Sequence, residues 1–144
     1  MNAVTIDLEA LVHNLEAVSR WVRAHDAGLT LVTKALCGHR DTVRALQQLG
    51  VRSMADSRLD NFTAYDREGD ELETWYLRPP HRSAIPAVVR ACDVSLNTEL
   101  QVIKEINAEA ERQDRIHRVV IMIELGDLRE GILPGELASV YEEV

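Results

Sequence analysis

The chain has 144 residues, 46% hydrophobic and 28% charged. That is an ordinary globular composition, which excludes disordered, collagen-like and low-complexity classes. A net charge of -8, from 24 acidic against 16 basic residues, argues against general nucleic-acid binding, because an acidic domain repels a phosphate backbone. No apolar run approaches the roughly 18 residues of a membrane span, and no secretory signal is visible in Met1 to Asp7. Two cysteines, Cys37 and Cys92, make no disulfide framework, so a cytoplasmic location is expected.

Helical and strand patterns alternate along the chain. Leu8, Leu11, Val12, Leu15, Val18 and Val22 form one face of a 3.6-residue period, with Asp7 placed as N-cap and Gly28 beyond the end. Leu29 to Thr33 is a short strand ending on Lys34. Asp41 to Leu49 is helical, stopped by Gly50, and Val51 to Ala55 is a strand. Ser57 and Asp60 form an acidic variant of the capping box for a helix that Gly69 ends. Glu73 to Leu77 is a strand stopped by Pro79 and Pro80. Ser83 opens a helix through Cys92, with Pro86 tolerated in its first turn.

Asp93 to Leu96 is the next strand, and Thr98 with Gln101 forms a capping box for a long helix ending near Gln113. Val119 to Ile123 is apolar throughout, as a parallel strand covered on both faces is. A turn-rich loop from Gly126 to Gly135 leads into a last helix through Val144, and an additional short strand is expected around Val4 to Ile6. This serial order predicts an α/β fold with a parallel sheet. Two architectures fit: an open doubly wound sheet, and the first part of a (β/α)8 barrel, whose whole length is typically about 250 residues.

In either case ligands bind at the C-terminal ends of the strands. The polar residues there are Lys34, Ser57, Arg78, Asn97 and Glu124, followed by Asp127 and Arg129. Lys34 is the sharpest candidate, since a lysine at such an edge can attack a carbonyl and form a Schiff base. Arg129 lies between Gly126 and Gly131 and offers a donor fork suited to a carboxylate or a phenolate oxygen. No zinc spacing, dinucleotide fingerprint, nucleoside triphosphate loop or nucleophile elbow is present.

Several segments fall into one pattern. They are Thr5 to Leu8 with His13-Asn14, Val32-Thr33-Lys34, Ala55 to Arg58, Leu77 to Pro80, Val94 to Leu100, and Leu125 to Gly131. In this order they resemble the N-terminal barrel domain of the alanine racemase-like enzymes, most of all the ornithine racemase and related amino-acid racemase branch. The resemblance implies a TIM barrel of which residues 1-144 are the N-terminal part, with the remainder of the barrel and the second domain absent. It implies a pyridoxal 5'-phosphate-dependent racemase acting on a small-molecule amino acid, ornithine or another basic one, with this part alone inactive. Lys34 would form the internal aldimine and abstract the α-proton on one face. Arg129 would approach the cofactor's phenolic oxygen and the substrate carboxylate, and Arg78 and Asn97 would lie on the cofactor side. A homodimer is expected for the full-length protein, with neither nucleic acid nor membrane as partner.

The alanine racemase branch carries a tyrosine shortly after the lysine. Here Ala35 to His39 is one residue shorter and lacks it, which argues against alanine as the preferred substrate. Two other readings are a non-catalytic pyridoxal phosphate carrier and a flavodoxin-like binding or regulatory domain.

Overall fold

A computed structural model of the chain describes residues 5–67 and 72–144. Five strands, β1 (Leu31–Val32), β2 (Ser53–Asp56), β3 (Glu73–Tyr76), β4 (Val94–Asn97) and β5 (Arg118–Ile121), form one sheet in the order β1-β2-β3-β4-β5. Every neighbouring pair is parallel. A doubly wound sheet reverses its strand order at a switch point. This sheet does not, so right-handed crossovers lay the connecting segments on one face. Between the two architectures left open by the sequence, the strand order selects the barrel arc and removes the flavodoxin-like arrangement.

The described residues form five α-helices: α1 (Leu8–Arg23) before β1, α2 (Arg40–Gln48), α3 (Ile85–Ala91) and α4 (Leu100–Arg112) between strands, and α5 (Leu137–Glu143) after β5. Side chains alternate across a strand, so one face of the sheet meets the helices. Met54 and Tyr76 from that face pack with Val43 and Leu46 of α2, with Phe62 and Tyr65, and with Val88 of α3. A second cluster, Ile85, Val89, Val102, Ile106 and Ala110, joins α3 to α4.

Local chemistry sets the helix ends. Asp7 caps α1, accepting from the Ala10 N–H at 3.0 Å. The sequence places a helix after Ser57, but the structure has a six-residue 3-10 helix, Leu59–Ala64, with no side-chain cap. Asp56, the last residue of β2, instead accepts from the N–H groups of Ser57 (2.7 Å) and Arg58 (3.0 Å), ahead of that helix. The Thr98–Gln101 box does not form either. α4 starts one residue later behind Glu99, and the Gln101 amide donates to Glu105 instead. A 3-10 turn, Arg82–Ala84, precedes α3. Thr5 and Ile6 form no strand. Val4 and Gly69 lie outside the described residues.

At the N-terminal edge of the sheet, Asp93 ties three segments together. It accepts from the Thr74 N–H and hydroxyl, both at 2.8 Å, and pairs with Arg67 at 2.6 Å. Burial pushes this carboxyl up, but the Thr74 hydrogen bonds and Arg67 outweigh burial and hold it below the usual aspartate range. A depressed folded value stabilises the fold above the unfolded pKa of 3.8 and is lost as the pH falls through the folded one. Asp93→Ala is therefore expected to cost about 2 kcal/mol at pH 7 in urea unfolding. The gap to wild type should narrow below about pH 4; a gap independent of pH would contradict the charge assignment.

Candidate active site

Because the strands are parallel, their C-terminal ends share one edge. Lys34 follows β1, Arg78 follows β3, and the loop with Arg129 follows β5 on that edge. All three side chains are exposed. Asn97 ends β4 but is fully buried, and its amide donates to the Ser95 carbonyl (2.8 Å) and hydroxyl (3.0 Å). The structure thus gathers three of the four candidates at one exposed edge and places Asn97 within the fold.

Lys34 opens a tight turn, the 3-10 helix Lys34–Leu36, followed by Cys37 and Gly38 in left-handed conformations (φ 48° and 70°). The turn is anchored at both ends. At its start, Thr33 is buried, and its hydroxyl lies 3.2 Å from Asp56 Oδ2 and 2.6 Å from the Tyr65 hydroxyl. A threonine has one hydroxyl proton. If Thr33 gives it to Asp56, Tyr65 must donate to Thr33. Burial pushes the Tyr65 phenol up to about 12, so it keeps that proton at neutral pH. At the far end, a Cβ on Gly38 would stand 3.1 Å from Asn61 Oδ1 and 3.2 Å from its Cα. Asn61 in turn donates to Asp56 Oδ2 at 3.1 Å. One buried carboxyl group therefore grips both ends of the lysine turn.

Sequence reasoning passed over Thr33, Asn61 and Tyr65 as site-building residues. Their contacts span 5 to 32 positions and leave no local pattern. One signal was present: Asp56 is an acidic residue at the last position of a buried strand, where it must find several donors.

Beside the turn lies a cleft of about 710 Å³ lined by residues including Ile6, Leu36, Cys37 and His39. Another, of about 590 Å³, lies at the opposite edge between α1 and the N-terminal ends of β1 and β2. The catalytic face of a parallel barrel is its C-terminal one, and the Lys34 side chain lies at that edge outside the lining of either cleft.

A serine–histidine pair lies deeper. Ser95 Oγ is 2.9 Å from His117 Nε2, and His117 Nδ1 is 3.2 Å from the Cys92 carbonyl. The carbonyl only accepts, so Nδ1 carries the proton, Nε2 accepts from Ser95, and Asn97 donates to Ser95. Ser95 is fully buried, so the pair is structural.

Five parallel strands in sequential order, alternating with helices, define the first part of a (β/α)8 barrel domain. The chain belongs to the alanine racemase family, matching its N-terminal domain over residues 6–144. It is 33% identical to the ornithine racemase of Acetoanaerobium sticklandii over 135 residues, which cover 92% of this chain and 37% of that protein. It is 25% identical to the lysine racemase of Thermotoga maritima over 127 residues, covering 88% of this chain and 36% of that protein. The chain thus spans little more than a third of the curated relatives it matches. The fold is similar to that of alanine racemase from Bartonella henselae with covalently bound pyridoxal phosphate (TM-score 0.74, 18% identity, 96% of this chain and 41% of that one). It is also similar to that of PipY from Synechococcus elongatus (TM-score 0.72, 14% identity, 92% of this chain and 65% of that one).

Burial pushes the His117 imidazole below its ordinary value. The unfolded chain then binds a proton that the fold excludes, so stability falls as the pH drops through about 6.5. His117→Gln should remove this contribution, by up to about 1 kcal/mol per pH unit between pH 7 and 5.5. Denaturant unfolding of both proteins across that range checks it; identical pH slopes would contradict a buried neutral histidine.

Proposed function

We propose that this chain is the lysine-bearing part of a pyridoxal phosphate-dependent amino-acid racemase whose substrate is a basic amino acid, ornithine or lysine. The observation that carries the proposal is the Lys34 turn: an exposed primary amine at the C-terminal edge of the arc, its backbone fixed by Asp56, Thr33 and Asn61. The two curated relatives, both racemases of basic amino acids, support the substrate class. A primary amine held in this way fits an aldehyde-bearing cofactor, which needs a nucleophilic nitrogen at a defined place.

When bound, pyridoxal phosphate supplies an electron sink for the charge left by removal of an α-proton. In this reading Lys34 Nζ would hold the cofactor and would move the α-proton on one face of the substrate. Arg129 presents its guanidinium to the substrate carboxylate and the cofactor's phenolic oxygen. Arg78 and Asn97 belong to the cofactor side of the barrel, Arg78 as an exposed cation at the edge and Asn97 through the buried end of β4. The base for the opposite face comes from outside these residues, and the full-length enzyme works as a cytoplasmic homodimer. Among the described residues, no helix is long and apolar enough to cross a membrane.

The test is racemisation by the full-length protein, followed by chiral chromatography and by deuterium uptake at Cα in heavy water. L-Ornithine or L-lysine should turn over faster than L-alanine. Lys34→Ala should lower the rate by about 10²–10⁴-fold, the usual worth of a positioned acid–base group. Cofactor binding without turnover of any amino acid would favour the second reading, a non-catalytic pyridoxal phosphate carrier.

A further inference from the structure

After β5 the chain folds back on itself around one carboxyl group. The Glu124 N–H donates to the Ile132 carbonyl, and the Ile132 N–H donates to the Met122 carbonyl, both at 2.9 Å. Ile123 and Ile132 pair as a parallel bridge. Gly131 (φ 141°) lies so close to the strand end that a Cβ would stand 2.6 Å from the Ile123 carbonyl carbon. The two ends of segment 124–131 are thus held together, and only glycine fits the closure.

Within this loop the backbone N–H groups converge on Glu124. Oε1 accepts from Gly126 and from Leu128 (3.1 Å), and Oε2 accepts from Arg129 (3.2 Å). These bonds hold the Glu124 carboxyl below the usual glutamate range, that of Gly126 contributing most. Apolar packing does little here, since Leu125 and Leu128 are 85% and 89% exposed. Leu128 is also held in the left-handed region (φ 54°), which a branched side chain avoids unless other contacts impose it. Converging N–H groups of this kind form an anion-binding nest. In this loop the anion is the chain's own side chain.

We propose that Glu124 is the positioning residue for Arg129: its carboxylate gathers the 126–129 backbone and sets the place from which the guanidinium acts. The role assigned to Arg129 rests on the racemase reading; the fold of the loop around Glu124 does not. Oε1 takes the Gly126 and Leu128 N–H groups and Oε2 that of Arg129, so the two carboxylate oxygens have separate duties that substitution can separate.

Amide hydrogen exchange on the full chain, without cofactor, reads this directly. Slow exchange is expected at Gly126, Leu128 and Arg129 in the wild type. Glu124→Gln keeps one carbonyl oxygen for Gly126 and Leu128 but turns its amide NH2, a donor, toward the Arg129 N–H. Exchange at Arg129 should therefore rise about tenfold while the other two stay slow. Glu124→Ala should speed all three about tenfold or more, and added acetate should slow them again by entering the vacated nest. Exchange in Glu124→Ala equal to wild type, equal acceleration of all three amides in Glu124→Gln, or no response to acetate would each overturn the proposal. In the full-length enzyme, Glu124→Gln should raise KM for the amino acid several-fold with kcat within about twofold, as loss of uniform substrate binding does. Normal exchange effects without a KM change would sink Arg129 as the substrate-carboxylate group and leave the loop result standing.

Discussion

The Asp56 carboxyl group is the point on which the site depends. It is fully buried at the end of β2 and accepts from four donors: Ser57 N–H, Arg58 N–H, Asn61 Nδ2 and the Thr33 hydroxyl. A buried carboxyl without donors costs several kcal/mol, roughly the margin of a small domain. Filling its lone pairs therefore dictates local geometry. The requirement draws the end of β1 against the end of β2, starts the Leu59–Ala64 helix, and places Asn61 under Gly38. The lysine turn is what remains exposed once these demands are met.

A second acid does similar work at the other end of the arc. Asp56 is buried and binds both side chains and backbone; Glu124 is on a surface loop and gathers the backbone N–H groups of Gly126, Leu128 and Arg129. Asp56 ends β2 and Glu124 follows β5, and each shapes a segment that carries a candidate cation, Lys34 or Arg129. The opposite edge is built differently. There Glu73 accepts from Ser53 (3.1 Å), Trp75 (2.5 Å) and Arg118, and Asp93 joins Thr74 to Arg67. Those acids tie strand to strand. This matches the division of a parallel barrel into a stabilising face and a chemical face.

Much of the fold was legible because it is local. Asp7 as N-cap of α1, Gly50 after α2 and the apolar β5 segment follow from residues within one turn of each other. Strand order was not legible, since consecutive βα units suit both an open sheet and a barrel until the pairing partners are known. The two capping boxes fail for different reasons: Asp56 takes the Ser57 and Arg58 N–H groups and the helix starts only at Leu59, while Gln101 donates to Glu105 on the next turn. Lys34 was visible as a cation ending a strand, but Thr33 and Tyr65, 32 positions apart, meet only after β1 and β2 pair. Glu124 was visible as a strand-end acid; its use depended on the backbone of the following loop, which side-chain pattern does not encode.

The central claim is that Lys34 carries the cofactor. The chain contains one other lysine, Lys104, which lies on α4 and pairs with Glu143 at 2.7 Å. Borohydride reduction of the full-length protein with pyridoxal phosphate, followed by peptide mass mapping, therefore gives a clean answer. The account predicts a pyridoxyl mass increment on the peptide containing Lys34, stoichiometric and lost in Lys34→Ala. An increment on Lys104 or on a lysine outside this chain, with Lys34 unmodified, would contradict it.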